Sequence, residues 1–172
     1  LINNDVNSII EDHRGKLWFA TNNGISCWDL TTNKWSSFYN DKETQAQVFL
    51  SLCEDNQGRI WAGTYSSGVY VLEGRTGKEL AHYSKNGMGS PLLNDFIFNI
   101  YKDRSGDIWL GGGSGSVVCY LSRENKFRAY SNEPIGCFAE LSDNQILLGC
   151  SYGLSQLNKQ TGDIRRLIEG LL

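Results

Sequence analysis

Aspartate, glycine and tryptophan recur together along this chain, at Asp12, Gly15 and Trp18, at Asp55, Gly58 and Trp61, and at Asp103, Gly106 and Trp109. A recurring carboxylate raises calcium, but that ion needs about six to eight oxygens converging on one point. Here each carboxylate sits in its own copy of a repeat, at least 43 residues from the next. An aspartate that opens a turn accepts from backbone amides two residues on, and that role suits all three. No metal site is expected. Recurring tryptophans raise a sugar platform, which needs exposed ring faces. These three stand in the apolar runs LWFAT, IWAGT and IWLGG, so packing inside the fold is expected of them.

Other chemistry is thinner still. The run GGGSG at 111–115 resembles a phosphate loop only superficially. A dinucleotide turn needs a strand before and a helix after, and the residues that follow, 117–121, read as a strand. The chain has two histidines, His13 in an Asp–Gly turn and His82 in an outer strand. A triad would need a nucleophile and an orienting acid converging on one of them. The carboxylate pairs Glu11–Asp12 and Glu54–Asp55 are neighbours in a strand, where successive side chains point to opposite faces. The five cysteines (Cys27, Cys53, Cys119, Cys137, Cys150) form no CxxC pair and lie in apolar or alternating runs. They read as small buried hydrophobes and free thiols. No catalytic residue and no cofactor is expected.

The elements that carry these residues follow from an internal repeat. Residues 6–21 read VNSIIEDHRGKLWFAT, 49–64 FLSLCEDNQGRIWAGT, 97–112 IFNIYKDRSGDIWLGG, and 135–150 IGCFAELSDNQILLGC. The fourth copy is degenerate, with Leu141, Asn144 and Leu147 where the others have Asp, Gly and Trp. A second glycine follows each window, at Gly24, Gly68, Gly115 and Gly153. Within the first unit, 6–11 is a mainly apolar strand, 12–15 a turn, 17–21 a second strand, 25–30 a third, 31–34 a polar turn and 35–39 a fourth. The later units match it, with fourth strands at 79–83, 127–130 and 164–168. Four short strands per unit of roughly 40–45 residues define a β-propeller blade. The expected fold is therefore all-β: a β-propeller segment of four four-stranded blades, near 1–43, 44–91, 92–132 and 133–172, forming one domain. It is expected to be a fragment or incomplete ring of a larger propeller, with terminal blades that invite a homodimer.

The segments IIEDHRGKLWFATNNGI, LCEDNQGRIWAGTYSSGV and IYKDRSGDIWLGGGSGSV resemble the two-component regulator propeller repeat. The shared pattern is an apolar pair, then D-x-x-G-x-[LI]-W, an apolar residue, G-T, a short loop and a glycine before an aliphatic residue. The stretches LINNDVNSI and PLLNDFIFNI resemble the family's lead-in to a blade. The resemblance implies the extracytoplasmic, periplasmic sensor of a hybrid two-component histidine kinase, reading a carbohydrate-derived signal such as an oligosaccharide. The membrane span and kinase it implies lie outside this chain. The alternatives are a propeller enzyme, a lyase or glycan-active protein, and a protein–protein scaffold.

Composition agrees with a globular module. The chain has 172 residues, a net charge of −3, 19 glycines and 20 aromatic residues. Its densest basic spot is Arg165 and Arg166, so no nucleic-acid contact is expected. In an up-and-down blade, the Asp–Gly turns share one end with the turns between third and fourth strands. The other end collects amides, hydroxyls and tyrosines suited to a neutral, polyhydroxylated ligand. The candidate binding residues there are Asn4, Asp5, Asn23, Tyr65, Ser66, Asn94, Asp95 and Tyr152. At the Asp–Gly end, Asn33, Lys34, Lys126 and Lys159 are expected to matter neither for binding nor for stability.

Overall fold

A computed structural model describes residues 1–39, 47–87, 92–113, 116–131, 134–151 and 153–169. It contains sixteen strands in four separate antiparallel sheets. The first sheet is β1 (Val6–Glu11), β2 (Lys16–Thr21), β3 (Gly24–Asp29) and β4 (Lys34–Phe38). The second is β5 (Phe49–Glu54), β6 (Arg59–Thr64), β7 (Val69–Glu73) and β8 (Glu79–Tyr83). The third is β9 (Ile97–Lys102), β10 (Ile108–Gly112), β11 (Ser116–Leu121) and β12 (Lys126–Ser131). The fourth is β13 (Ile135–Ser142), β14 (Gln145–Cys150), β15 (Gly153–Asn158) and β16 (Ile164–Glu169). Each strand pairs with its neighbour in sequence, as in a propeller blade.

The first strands are innermost. β1 packs on β5, β5 on β9, and β9 on β13. β13 does not pack back on β1 in the way these neighbours pack on each other, so the sheets form an open series.

Burial explains the strand sequences. β6 lies between two neighbouring sheets, so both its faces are covered: Ile60 and Ala62 look back to blade 1, and Trp61 looks forward to blade 3. Its sequence is accordingly apolar without alternation. Three apolar layers result. Trp18, Ile25, Phe49, Ile60 and Leu72 fill the first. Trp61, Val71, Ile97, Ile108 and Tyr120 fill the second. Trp109, Cys119, Ile135, Leu148 and Leu157 fill the third. Trp18, Trp61 and Trp109 are each 1% exposed and face forward from their blades, so the expected packing role holds.

Two details differ from the sequence reading. The fourth blade's first turn is not a four-residue turn like the others. Ser142 pairs directly with Gln145, leaving a two-residue hairpin at Asp143 and Asn144. The second concerns the cysteines. All five are free, but only Cys27 and Cys119 are buried; Cys53 and Cys150 are half-buried and Cys137 is exposed. It stands on the first strand of blade 4, the last of the four described sheets. Burial pushes the thiols of Cys27 and Cys53 up to about 11.

Candidate functional site

The two ends of the blades are built differently. At the Asp–Gly end, each aspartate is a clamp. Asp55 Oδ1 accepts from the backbone amides of Gln57 and Arg59, both at 2.9 Å, while Oδ2 accepts from Trp61 Nε1 at 2.8 Å. Asp12 and Asp103 do the same for Trp18 and Trp109, each at 2.9 Å. The turn-capping expectation is met. The indole partner was not visible in the spacing, although the six-residue offset from Asp to Trp is constant. Gly58 closes the turn at φ 74°, and a Cβ there would stand 2.8 Å from the His13 ring of the preceding blade. Only glycine meets both conditions.

A second device joins neighbouring blades at this end. Glu54 Oε2 accepts from His13 N at 2.9 Å, and its Oε1 lies 2.5 Å from His13 Nδ1. Glu140, at the same repeat position in blade 4, accepts from Arg104 N at 3.0 Å. Its other oxygen meets Lys159 Nζ at 3.0 Å, and Lys159 also pairs with Asp103 Oδ2 at 3.0 Å. Burial alone would push the Lys159 ammonium down; the two carboxylates outweigh it and hold it above its ordinary range. Lys159 is thus no idle surface residue, contrary to the expectation from sequence. Both carboxylates are almost wholly buried, and removing the lysine would strand them. Asn33 also has a structural part, accepting from Trp28 Nε1 at 3.0 Å from a backbone φ of 54°.

At the opposite end, the loops between second and third strands are tied to the lead-ins of two blades. Asn22, Tyr65 and Gly113 donate their backbone amides to Asp5, Val48 and Phe96 of their own blade's lead-in. Gly24 and Gly68 donate to Gln47 and Asp95 of the next blade's lead-in, both at 2.9 Å. Gly68 adopts φ 76° to do so. Thr21 and Thr64 fix these loops by donating from Oγ1 to Gly24 O and Gly68 O. One rim therefore runs from the Asp5 lead-in through Gln47 and Val48 to Tyr65 and Asp95.

The candidate residues lie on this rim, except Tyr152, which is outside the described residues. Asn4 and Ser66 are exposed, and Asn23 is half-buried. Asp5 Oδ2 accepts from Asn22 Nδ2 at 3.4 Å. Asn94 is engaged in shaping its loop: its Nδ2 donates to Gly113 O, and its Oδ1 accepts from Phe96 N at 2.9 Å. Asp95 Oδ1 accepts from Lys85 N at 2.6 Å. Tyr65 keeps its ring half in solvent at 52%. The structure joins Tyr65, Ser66, Asn94 and Asp95 at the junction of blades 2 and 3. It places Asn4, Asp5 and Asn23 on blade 1, linked to that junction only along the rim.

The sequence reading missed Phe96 and Phe98. Tyr65 and Phe96 have ring centroids 4.2 Å apart, and Phe96 and Phe98 5.1 Å apart. Phe98 is 41% exposed although it stands on an innermost strand. The cause is a register shift shared by all four blades. Val6 and Ser8, Phe49 and Ser51, Ile97 and Asn99, and Ile135 and Cys137 pair on either side of a skipped residue. The skipped residues are Asn7, Leu50, Phe98 and Gly136. A bulge re-aims the side chain that it carries, and here it does so once per blade beside the rim. His82 also borders the rim: its Nε2 lies 2.6 Å from Ser67 O, and its ring stacks on Tyr70 at 3.9 Å. Among the described residues no cluster of His, Cys, Asp or Glu could hold a metal ion.

The fold and its joined ends define a propeller-type blade array. The model of the two component regulator propeller family matches residues 1–23, 44–66 and 91–114. No curated protein matches the sequence. Among solved structures, the extracellular domain of the hybrid two component system BT3049 from B. thetaiotaomicron is similar at 20% identity and TM-score 0.81, over 96% of this chain and 25% of that one. The extracellular domain of BT4673 from the same organism is similar at 18% identity and TM-score 0.61, over 98% and 30%. Virginiamycin B lyase from Staphylococcus aureus is similar at 19% identity and TM-score 0.70, over 94% and 54%. The chain thus spans less than a third of the length of these two extracellular domains, and these likenesses show a shared fold.

Proposed function

We propose that the chain is a ligand-reading, non-catalytic part of an extracytoplasmic sensor in a hybrid two-component protein, and that its ligand is a neutral oligosaccharide. The observation that carries this reading is the exposed aromatic cluster Tyr65–Phe96–Phe98 at the junction of blades 2 and 3, with Ser66 and Asp95 beside it. Aromatic faces give a polyhydroxylated ligand apolar contact, and the flanking oxygens orient its hydroxyls. The family match and the two extracellular neighbours support the sensor class and an address outside the cytoplasm, including the periplasm.

The test is a thermal-shift and calorimetric screen of oligosaccharides. Tyr65→Ala and Phe98→Ala should each weaken a hit by about tenfold, or about 1.4 kcal/mol, with melting temperature nearly unchanged because both rings are already exposed. Salt should have little effect on a neutral ligand. Binding that survives both substitutions would overturn the reading.

A further inference from the structure

At the Asp–Gly end, a carboxylate ties each blade's first turn to the next blade, and at one junction that carboxylate is missing. Glu54 holds the amide of His13 between blades 1 and 2. Glu140 holds the amide of Arg104 between blades 3 and 4. In both cases the second oxygen meets a nitrogen-bearing side chain: the His13 ring for Glu54, the Lys159 ammonium for Glu140. The equivalent amide in blade 2 is that of Asn56, and the equivalent side chain in blade 3 is Lys102. A lysine ammonium donates and cannot accept. Among the described residues the Asn56 amide has no acceptor and the Lys102 ammonium has no ion-pair partner. In place of the third carboxylate there is an open cavity of about 390 Å³, lined by His13, Glu54, Asp55, Gln57, Asn56 and Lys102.

We propose that this cavity is a binding site for a carboxylate anion, which completes the third inter-blade latch. One carboxylate oxygen accepts from the Asn56 backbone amide, as a Glu54 oxygen accepts from His13. The other meets the Lys102 ammonium, as a Glu140 oxygen meets Lys159. Two acidic side chains share the lining, and both are engaged by other partners. Both oxygens of Glu54 are engaged by His13. Both oxygens of Asp55 are engaged, by the Gln57 and Arg59 amides and by Trp61 and the Arg59 guanidinium. Among the described residues, neither carboxylate forms an ion pair with Lys102. The geometry favours a planar, two-oxygen anion, because the amide and the ammonium come from different blades and must be bridged. The site lies at the end remote from the aromatic rim, and it does not depend on what the rim binds.

The experiment is a backbone-amide NMR titration of the chain with sodium acetate, with chloride balancing the ionic strength. The Asn56 amide should shift saturably with a Kd of about 1–10 mM, as befits one charge-assisted hydrogen bond and one partly exposed ion pair. Lys102→Ala should weaken the response at least tenfold. Lys102→Glu is the sharper variant, because it restores the carboxylate of the sibling junctions. Its Asn56 amide should stand near the acetate-bound position with no acetate present, and should move no further on addition. A response no larger at Asn56 than at the His13 and Arg104 amides would overturn the proposal. So would an acetate shift that survives intact in Lys102→Glu.

Discussion

Blades 1 and 4 both stand at an end of the array, yet their outward faces are opposites. Blade 1 turns Phe19, Trp28 and Trp35 outward, with Trp28 and Trp35 stacked at 5.2 Å and Phe19 tilted against Trp35 at 5.5 Å. Blade 4 turns out a shallow polar cavity lined by Gln145, Gln156, Asn158, Asp163 and Arg165. The inward faces do not differ in this way. Blade 4 keeps Ile146, Leu148 and Leu157 against Trp109, all wholly buried. The degeneracy of the fourth repeat is therefore directional. It has lost the residue that faces forward, Trp replaced by Leu147, and kept those that face back. The aspartate went with the tryptophan because half of its bonding is to that indole. The glycine went with the aspartate because a two-residue hairpin needs no four-residue turn. Lys159 then takes up the second oxygen of the preceding blade's aspartate, which ties blade 4 to blade 3 by charge.

The comparison can be broken first at the tryptophans. Trp61→Ala, Trp18→Ala and Trp109→Ala should each cost about 3–5 kcal/mol, as for other buried aromatics. Leu147→Ala should cost under about 2 kcal/mol, because that face is only half-covered. Equal losses in urea unfolding would remove the directional argument.

Lys159→Met comes next. It leaves two buried carboxylates without their cation and should cost about 3–5 kcal/mol, with denaturant midpoints as the readout. The pH dependence has a definite sign. Because Lys159 is held above its ordinary 10.5, its contribution is fully present below that pH and is lost as pH rises through the higher folded value. The gap between wild type and Lys159→Met should therefore stay flat from neutral pH to about 10 and narrow beyond it. A neutral effect at pH 7 would restore the view of Lys159 as a solvated turn residue.

Thiol labelling gives a smaller, cleaner contrast. Cys137 on blade 4 should react with a thiol reagent in the native state, while Cys27 and Cys119 wait for unfolding. Cys27 is held as the thiol up to about 11, above its ordinary 9.0, and thiolate is the reactive form. Mass analysis after a short pulse should find one modified site; rapid labelling at Cys27 would contradict the burial of the first layer.

The blades, their strands and the burial of the three tryptophans were legible because they rest on local spacing that repeats. Strand bounds agree to within a residue, as for Lys126–Ser131 against 127–130. What stayed hidden depends on which residues meet across blades. Glu54 and Glu140 are ordinary strand-end acids until the next blade's turn is placed beside them. Lys159 lies 56 residues from Asp103. Phe98 is one apolar strand residue among several until the bulge turns it to the rim. Of the candidate binding residues, Asn94 and Asp95 show polarity in the sequence, and the structure spends part of it on backbone groups of their own loop region.

We propose that the bulge-and-loop rim reads the ligand while the Asp–Gly end holds the blades together. The most direct measurement is a backbone-amide NMR titration with a neutral oligosaccharide that has passed the screen. Saturable shifts should centre on Tyr65, Ser66, Asp95, Phe96 and Phe98, with the amides of 12–15, 55–58 and 103–106 unmoved. Shifts centred on those three turns would contradict it.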